Sequence, residues 1–416
     1  MSVQVPKGYQ QTEVGVIPED WEIKEIGNIG KLLKGKGLLK NEINDFGNIP
    51  AIPYTAIYTD FNEILDYKKI NSFTNKVEKT ILIDEPSVII ASSSNMDKNT
   101  GKATALTKSI PVAVGREVII FVSQQNPAFI SYLLSTNIYR KKTLILARGT
   151  TIKHVYPETF RNYKICVPSK KEQDLISEAV LDADTLIESL EQLIAKKRQI
   201  KQGAMQELLT GQRRLPRFSG EWRKETIKNI VQTPVTDGPH MTPLFLNDGI
   251  PFLSVNNLVD GLIDFGDLRY ISQADHEEFS RKCKPQKGDI LLGKAASVGK
   301  VAIVETDVEF NIWSPIALIR LNNKNHGKYI YYQLQSDEVN KQISLLTNTS
   351  SQGNIGMGDI EKIVIPTPDK DEQIAIAEIL TTLDAEIEEL KIRVRKALKI
   401  KQSMMQELLT GRIRLI

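Results

Sequence analysis

Two short stretches of this 416-residue chain have the outline of reactive loops, and neither carries the residues its chemistry needs. Gly293 to Lys300, GKAASVGK, looks like a phosphate-cradling glycine loop. Five residues separate its glycines where that loop has four, and Val301 stands where a hydroxyl must hold the metal ion. NPAF at 126–129 approaches the Asn-Pro-Pro-aromatic loop of adenine methyltransferases, but Ala128 replaces the second proline. No glycine-rich strand-to-helix turn for a methyl donor precedes it. Asn126 followed by Pro127 reads instead as a helix cap and first turn leading into FISYLLST. His154, His240, His276 and His326 have no metal-ligand spacing, and neither do Cys166 and Cys283. There is no His-Glu-x-x-His and no Gly-x-Ser-x-Gly, and EIK at 22–24 matches only the tail of a nuclease-type acidic cluster. The expectation is a chain without catalytic residues, metal or cofactor of its own.

The elements that would position any function are therefore the informative part. The length suggests two or three domains. Hydrophobic residues are 41% and charged residues 25%, ordinary for a globular protein. The two distant cysteines suit reduced thiols in the cytoplasm. MSVQVPKGYQQTEVGVIPEDW has no apolar core or cleavage pattern, and no run nears the roughly 20 apolar residues of a membrane helix. A net charge of +3 neither announces nor excludes nucleic-acid binding, because one face can differ from the sum.

A repeat governs the organisation. MQELLTG closes the segment at 205–211 and returns at 405–411, offset by 200 residues. Upstream, Lys170, Glu172, Gln173, Ile176, Glu178, Asp184, Ile187, Glu188, Leu190, Lys196, Ile200, Lys201 and Gln202 recur at the same offset. Positions 176, 180, 183, 187, 190, 194, 197, 201, 204 and 208 alternate steps of four and three, a heptad seam. No proline interrupts either copy, and each stops at a glycine, Gly211 or Gly411. Each predicts one helix of about 40 residues, a rod of roughly 60 Å. A lone amphipathic rod needs a partner, and its own repeat, run antiparallel, is the nearest.

The segments between the rods form a looser pair. Trp21, Ile26 and Asn28 match Trp222, Ile227 and Asn229. IPAIPYTAIYTDF at 49–61 is in register with IPFLSVNNLVDGL at 250–262, and PSVIIASSS at 86–94 lies near KGDILLGKA at 287–295. YKICVP at 163–168 and EKIVIP at 361–366 precede the rods. These short β-branched runs predict strand-rich domains. The fold class is α+β: two strand-rich α/β domains, at 1–168 and 213–366, separated by two long antiparallel coiled-coil helices, at 169–212 and 367–416.

This architecture resembles the DNA specificity subunit of type I restriction–modification systems. GDILLGKAASVGK, SSQGNIGMGDIEKIVIP and DEQIAIAEIL match that family's phrasing closely in the second half; in the first, RGTTIKHVYPETFRNYKICVP takes the corresponding place. The resemblance implies a non-catalytic subunit that reads a bipartite site on double-stranded DNA, one half-site per recognition domain, the rods acting as a ruler. It implies two docked adenine methyltransferase subunits and further restriction subunits, in host defence by DNA methylation and cleavage. S-adenosylmethionine, ATP and Mg2+ would belong to those partners. Polar loop side chains would then read bases while lysines and arginines hold phosphates. Candidates in the first domain are Ser92, Ser93, Ser94, Asn95, Lys98, Lys102, Arg148, Thr150, Lys153 and His154. In the second they are Thr236, Asp237, His240, Lys294, Ser297, Lys300, Ser350, Ser351, Gln352 and Asn354. Candidate docking residues are Lys201, Gln202, Met205, Glu207 and Leu208, repeated as Lys401, Gln402, Met405, Glu407 and Leu408. The competing readings are a free-standing modification enzyme, a protein-binding coiled-coil scaffold and the specificity part of a methylation-only system.

Overall fold

A computed structural model describes residues 5–76, 78, 80–348 and 353–416. The chain packs as two compact units, Met1–Leu190 with Arg393–Ile416, and Glu191–Ile392. The limits fall inside the rods because each rod lends one end to each unit.

In the first unit a four-stranded antiparallel sheet runs in the order Ala103–Leu106, Ser87–Ala91, Val118–Ser123, Gly30–Lys34. A second sheet orders Phe73–Thr74, Ile49–Ile52, Val112–Val114, Ile81–Ile83. The second unit repeats the plan. Its main sheet orders Val301–Ile303, Ile290–Gly293, Ile316–Ile319, Thr236–Asp237, beside a three-stranded sheet centred on Ile250–Leu253. The central strands are apolar on both faces, as strands covered on both sides must be: Val88, Ile89 and Ile90 in one unit and Ile290, Leu291 and Leu292 in the other are buried. Asn126 caps the helix Pro127–Ser135, its side chain accepting from the Ala128 and Phe129 amides, so NPAF is a helix start.

The rods span Lys170–Leu209 and Lys370–Leu408. Ile176, Val180, Ile187, Leu190, Ile194 and Leu208 of the first seam are buried, as are Ile376, Leu380, Ile387, Leu390, Ala397 and Leu408 of the second. In the second unit Lys197 bonds Glu386 and Lys201 bonds Asp384, each at 2.6 Å. Numbering rises along one helix as it falls along the other, so the helices pack antiparallel.

The repeated residues at each rod's start form a joint to the adjoining globule. In the first unit Trp21 Nε1 donates to buried Glu172 at 3.1 Å, and Arg414 bonds both Glu172 and Asp20. In the second, Trp222 Nε1 donates to Glu372 at 3.1 Å, and Arg214 bonds Glu372 and the Gly220 carbonyl. Gln173 and Gln373 donate to the Pro168 and Pro368 carbonyls and accept from the Asn126 and His326 amides. Tyr132 and Tyr332 donate to Asp184 and Asp384, both at 2.8 Å. Much of what the repeat holds constant is thus spent inside each unit.

Candidate nucleic-acid interface

Strand register aligns the two units residue by residue. Lys34 pairs with Ile119 as Asp237 pairs with Ala317; Ile90 pairs with Ile119 as Leu292 pairs with Ala317. This sets Ala91 against Gly293, one residue away from the alignment suggested by the ends of the two segments, and a one-residue slip moves every side chain to the other face.

Four loops then meet at one rim in each unit. In the first, the Arg116 amide donates to the Gly37 carbonyl, Ser92 to Glu117, and Val155 to Ser92. Ser93–Ser94 pairs with Lys153–His154, and His154 bridges to Arg148. In the second, Ser314 donates to Pro239, Lys294 to Pro315, and Ile355 to Lys294. Asn354 bridges to both Ala295 and Asn348. The sequence-selected loops 91–102 and 147–154 do converge, and so do 236–242, 293–300 and the described part of 349–354.

The side chains on these rims have unequal freedom. Asn95, Lys98, Arg148 and Thr150 are exposed; Lys153 and His154 are half-exposed, facing Asp97 at 2.8 Å and Glu117 at 3.7 Å. Ser92, Ser93 and Ser94 are buried, because the Ser93–Ser94 strand is covered. Lys102 turns inward and donates to the Phe61 carbonyl at 2.7 Å, so its charge serves the fold. On the second rim His240, Lys300 and Asn354 are exposed, and Thr236 and Ser297 are half-buried. Ser350, Ser351 and Gln352 lie outside the described residues.

Asp237 and Lys294 are not surface contacts. Asp237 is 0% exposed and is bonded by Lys282 at 2.5 Å. Lys294 Nζ lies 3.2 Å and His240 Nε2 3.3 Å from its Oδ2, within ion-pair range, although no well-aligned hydrogen bond reaches that atom. Burial alone would raise this carboxyl, but Lys282 and Lys294 hold it below the ordinary carboxylate value. It stays charged and ties two loops together from below. Such buried pairs organise structure more than they stabilise it.

One contributor escaped the sequence reading. The loop after Gly30–Lys34, KGKGLLK, sits on the first rim where TDGPHMT sits on the second, and carries exposed Lys34, Lys36 and Lys40. The readable signal was its glycines beside the register partner: a Cβ on Gly35 would lie 2.0 Å from the Gly115 carbonyl oxygen, and one on Gly238 1.6 Å from that of Ile312.

A second pair of equivalent places lies at the rod ends. Gln402, Met405, Gln406 and Thr410 line a groove with Ser135–Ile138; Gln202, Met205, Gln206 and Thr210 line its counterpart with Ser336–Glu338. Of the docking candidates, Met205, Leu208 and Leu408 are buried in their own units, and Met405 is half-buried. Lys201 bonds Asp384, while Lys401 bonds Asp184 at 2.7 Å and Glu63 at 3.0 Å. Glu207 and Glu407 pair with Arg213 and Arg412. Gln202 and Gln402 are exposed, as are the repeated Lys196, Lys396, Ile200 and Ile400.

Comparison with known proteins bears on both places. The family model of the type I restriction modification DNA specificity domain matches residues 18–200 and 221–395. The MjaVIII type I restriction enzyme specificity subunit of Methanocaldococcus jannaschii is 24% identical over 419 residues, covering 96% of this chain and 94% of that one. The EcoKI specificity subunit of Escherichia coli is 24% identical over 429 residues, covering 96% and 90%. The crystal structure of a type I restriction–modification S subunit from M. genitalium shares the fold with a TM-score of 0.61 at 15% identity, over 98% of both chains. A chain from a structure of type I system assembly and conformational transition gives 0.56 at 15% identity, over 95% and 99%. Among the described residues no helix is long and apolar enough to cross a membrane.

Proposed function

The chain belongs to the type I restriction modification DNA specificity family, and from that premise we propose that it reads a bipartite sequence on double-stranded DNA, one half-site per rim, for partner subunits that do the chemistry. The observation that carries this reading is the repeated rim: one frame built twice, each edge presenting different polar groups. Two readers on one duplex suit half-sites on a shared helical face. The chain itself acts without catalysis or cofactor, in the cytoplasm. Two adenine methyltransferase subunits bring S-adenosylmethionine, and restriction subunits bring ATP and Mg2+.

The test is methylome sequencing of DNA modified by the methyltransferase with and without this chain. A split motif methylated only when the chain is present is the expected result. Methyl transfer by the chain alone, or a methylation pattern indifferent to it, overturns the proposal.

Two equal docking places are supported by the exposed repeated residues at the rod ends. Ile200 is 46% and Ile400 58% exposed, each among repeated lysine and glutamine side chains. Ile200→Asp and Ile400→Asp should each reduce the methyltransferase copies per chain from two to one in a mass measurement of the complex. Unchanged stoichiometry in both variants would remove these faces from the docking surface.

A further inference from the structure

We propose that the two equivalent loops at 34–40 and 237–244 divide the work of DNA binding: the first clamps phosphates and the second reads a base pair. This rests on the DNA-reading function above and assigns roles within it.

Strand register sets Lys34 against Asp237 and Arg116 against Ser314, and the bridges set Arg148 against Asn348; in the loop beyond the strand Lys36 falls beside Gly238 and Pro239. The first rim therefore presents four cations at positions where the second presents none. Lys34, Lys36, Arg116 and Arg148 are exposed, and none of them forms an ion pair among the described residues. Exposed, unpaired cations are what phosphate oxygens select, and they carry no sequence information.

The second loop is built for the opposite task. Its neighbouring lysines, Lys282 and Lys294, both face buried Asp237, which competes with phosphate for them. Pro239 and Pro243 restrict the backbone, and the Ser314 amide anchors Pro239. What the loop presents is His240, 71% exposed, with Met241 at 65% and Leu244 at 78%. His240 Nε2 lies 3.3 Å from Asp237 Oδ2, and the tautomer with its hydrogen on Nε2 faces that carboxylate and leaves Nδ1 as an acceptor. An acceptor beside exposed apolar side chains fits the major-groove edge of an A·T pair, which offers the adenine N6 amino group and the thymine methyl. His240 is thus assigned as the base-reading residue and Asp237 as the residue that positions it.

The test uses the full chain assembled with its methyltransferase, measuring binding against salt and methylation of a duplex library varied at each position of both half-sites. Lys34→Gln with Lys36→Gln should weaken binding equally for all sequences and reduce the log–log salt slope by about 1 to 2. His240→Ala should leave the salt slope unchanged and relax discrimination at one A·T pair of the second half-site by roughly 5- to 100-fold. His240→Gln, which keeps an acceptor, should restore part of that discrimination. The proposal is overturned if His240→Ala weakens all sequences equally, if the relaxed position is not an A·T pair, or if the lysine variant relaxes a base position. A wild-type chain that directs no methylation would overturn the functional reading itself, and this assignment with it.

Discussion

The first unit ties its rod to its globule with more charge than the second, while the second buries more charge under its rim. Arg414 bonds two carboxylates, Glu172 and Asp20, where Arg214 bonds one, Glu372, and the Gly220 carbonyl, among the described residues. Among the described residues Lys401 likewise pairs with Glu63 and Asp184 where Lys201 pairs with Asp384. At the rims the order reverses: exposed Lys34 in the first unit stands where the second holds a fully buried Asp237. The joints differ in redundancy and the rims in kind. A joint need only hold, so extra pairs are tolerated there; rims that read two half-sites, as proposed, must each present something different.

The largest expected effect breaks the joint comparison. Glu372→Ala removes the buried carboxylate that accepts from half-buried Arg214 and from Trp222 Nε1, at a cost of about 3–5 kcal/mol. Glu172→Ala should cost less, because Arg414 keeps Asp20. Chemical denaturation followed through each tryptophan in turn measures this, and equal losses would dissolve the distinction. Next, Asp237→Asn should destabilise the second unit by about 2–4 kcal/mol by leaving Lys282 and Lys294 unpaired. Lys34→Gln at the equivalent exposed position should fall within about 0.5 kcal/mol of the parent. Matching values would mean that Asp237 is less committed than its burial indicates.

A smaller effect concerns pH. His326 occupies the place of Asn126, each amide donating to a rod glutamine. Burial holds the His326 imidazole below its ordinary value, helped by Lys370 and Lys328 and opposed by Glu378. A folded value below the unfolded one means that protonation favours unfolding. The second unit should therefore lose stability as pH falls below about 6.5 and through the folded value, and the first should not through this position. His326→Asn should abolish the extra slope in a melting series from pH 8 to pH 5. A slope that survives the substitution assigns it to another group.

Much of this was legible in the sequence because it depends on local periodicity. The seam from Ile176 to Leu208 follows from steps of three and four, and the Asn126 cap from one dipeptide. The strand pair at 49–61 and 250–262 was readable from a shared Ile-Pro start. The rim was legible only as a set of polar loops, since composition does not tell an exposed lysine from one turned inward. Lys98 and Lys300 reach solvent, whereas Lys102 and Lys294 find a carbonyl and a carboxylate far away in the chain. The KGKG loop was passed over because its importance comes from register with a strand more than 80 residues later.

The sequence by itself determined the two rods, their seam, the strand-rich character of the segments between them and the absence of familiar catalytic motifs. These follow from spacing along the chain, which side-chain periodicity records directly. Only the tertiary structure decided that the repeated Glu172, Gln173 and Asp184 are joints rather than a displayed surface, and that Lys34 and Asp237 share one position. Those facts depend on which distant residues come into contact, and on whether a charge ends beside water or beside an opposite charge.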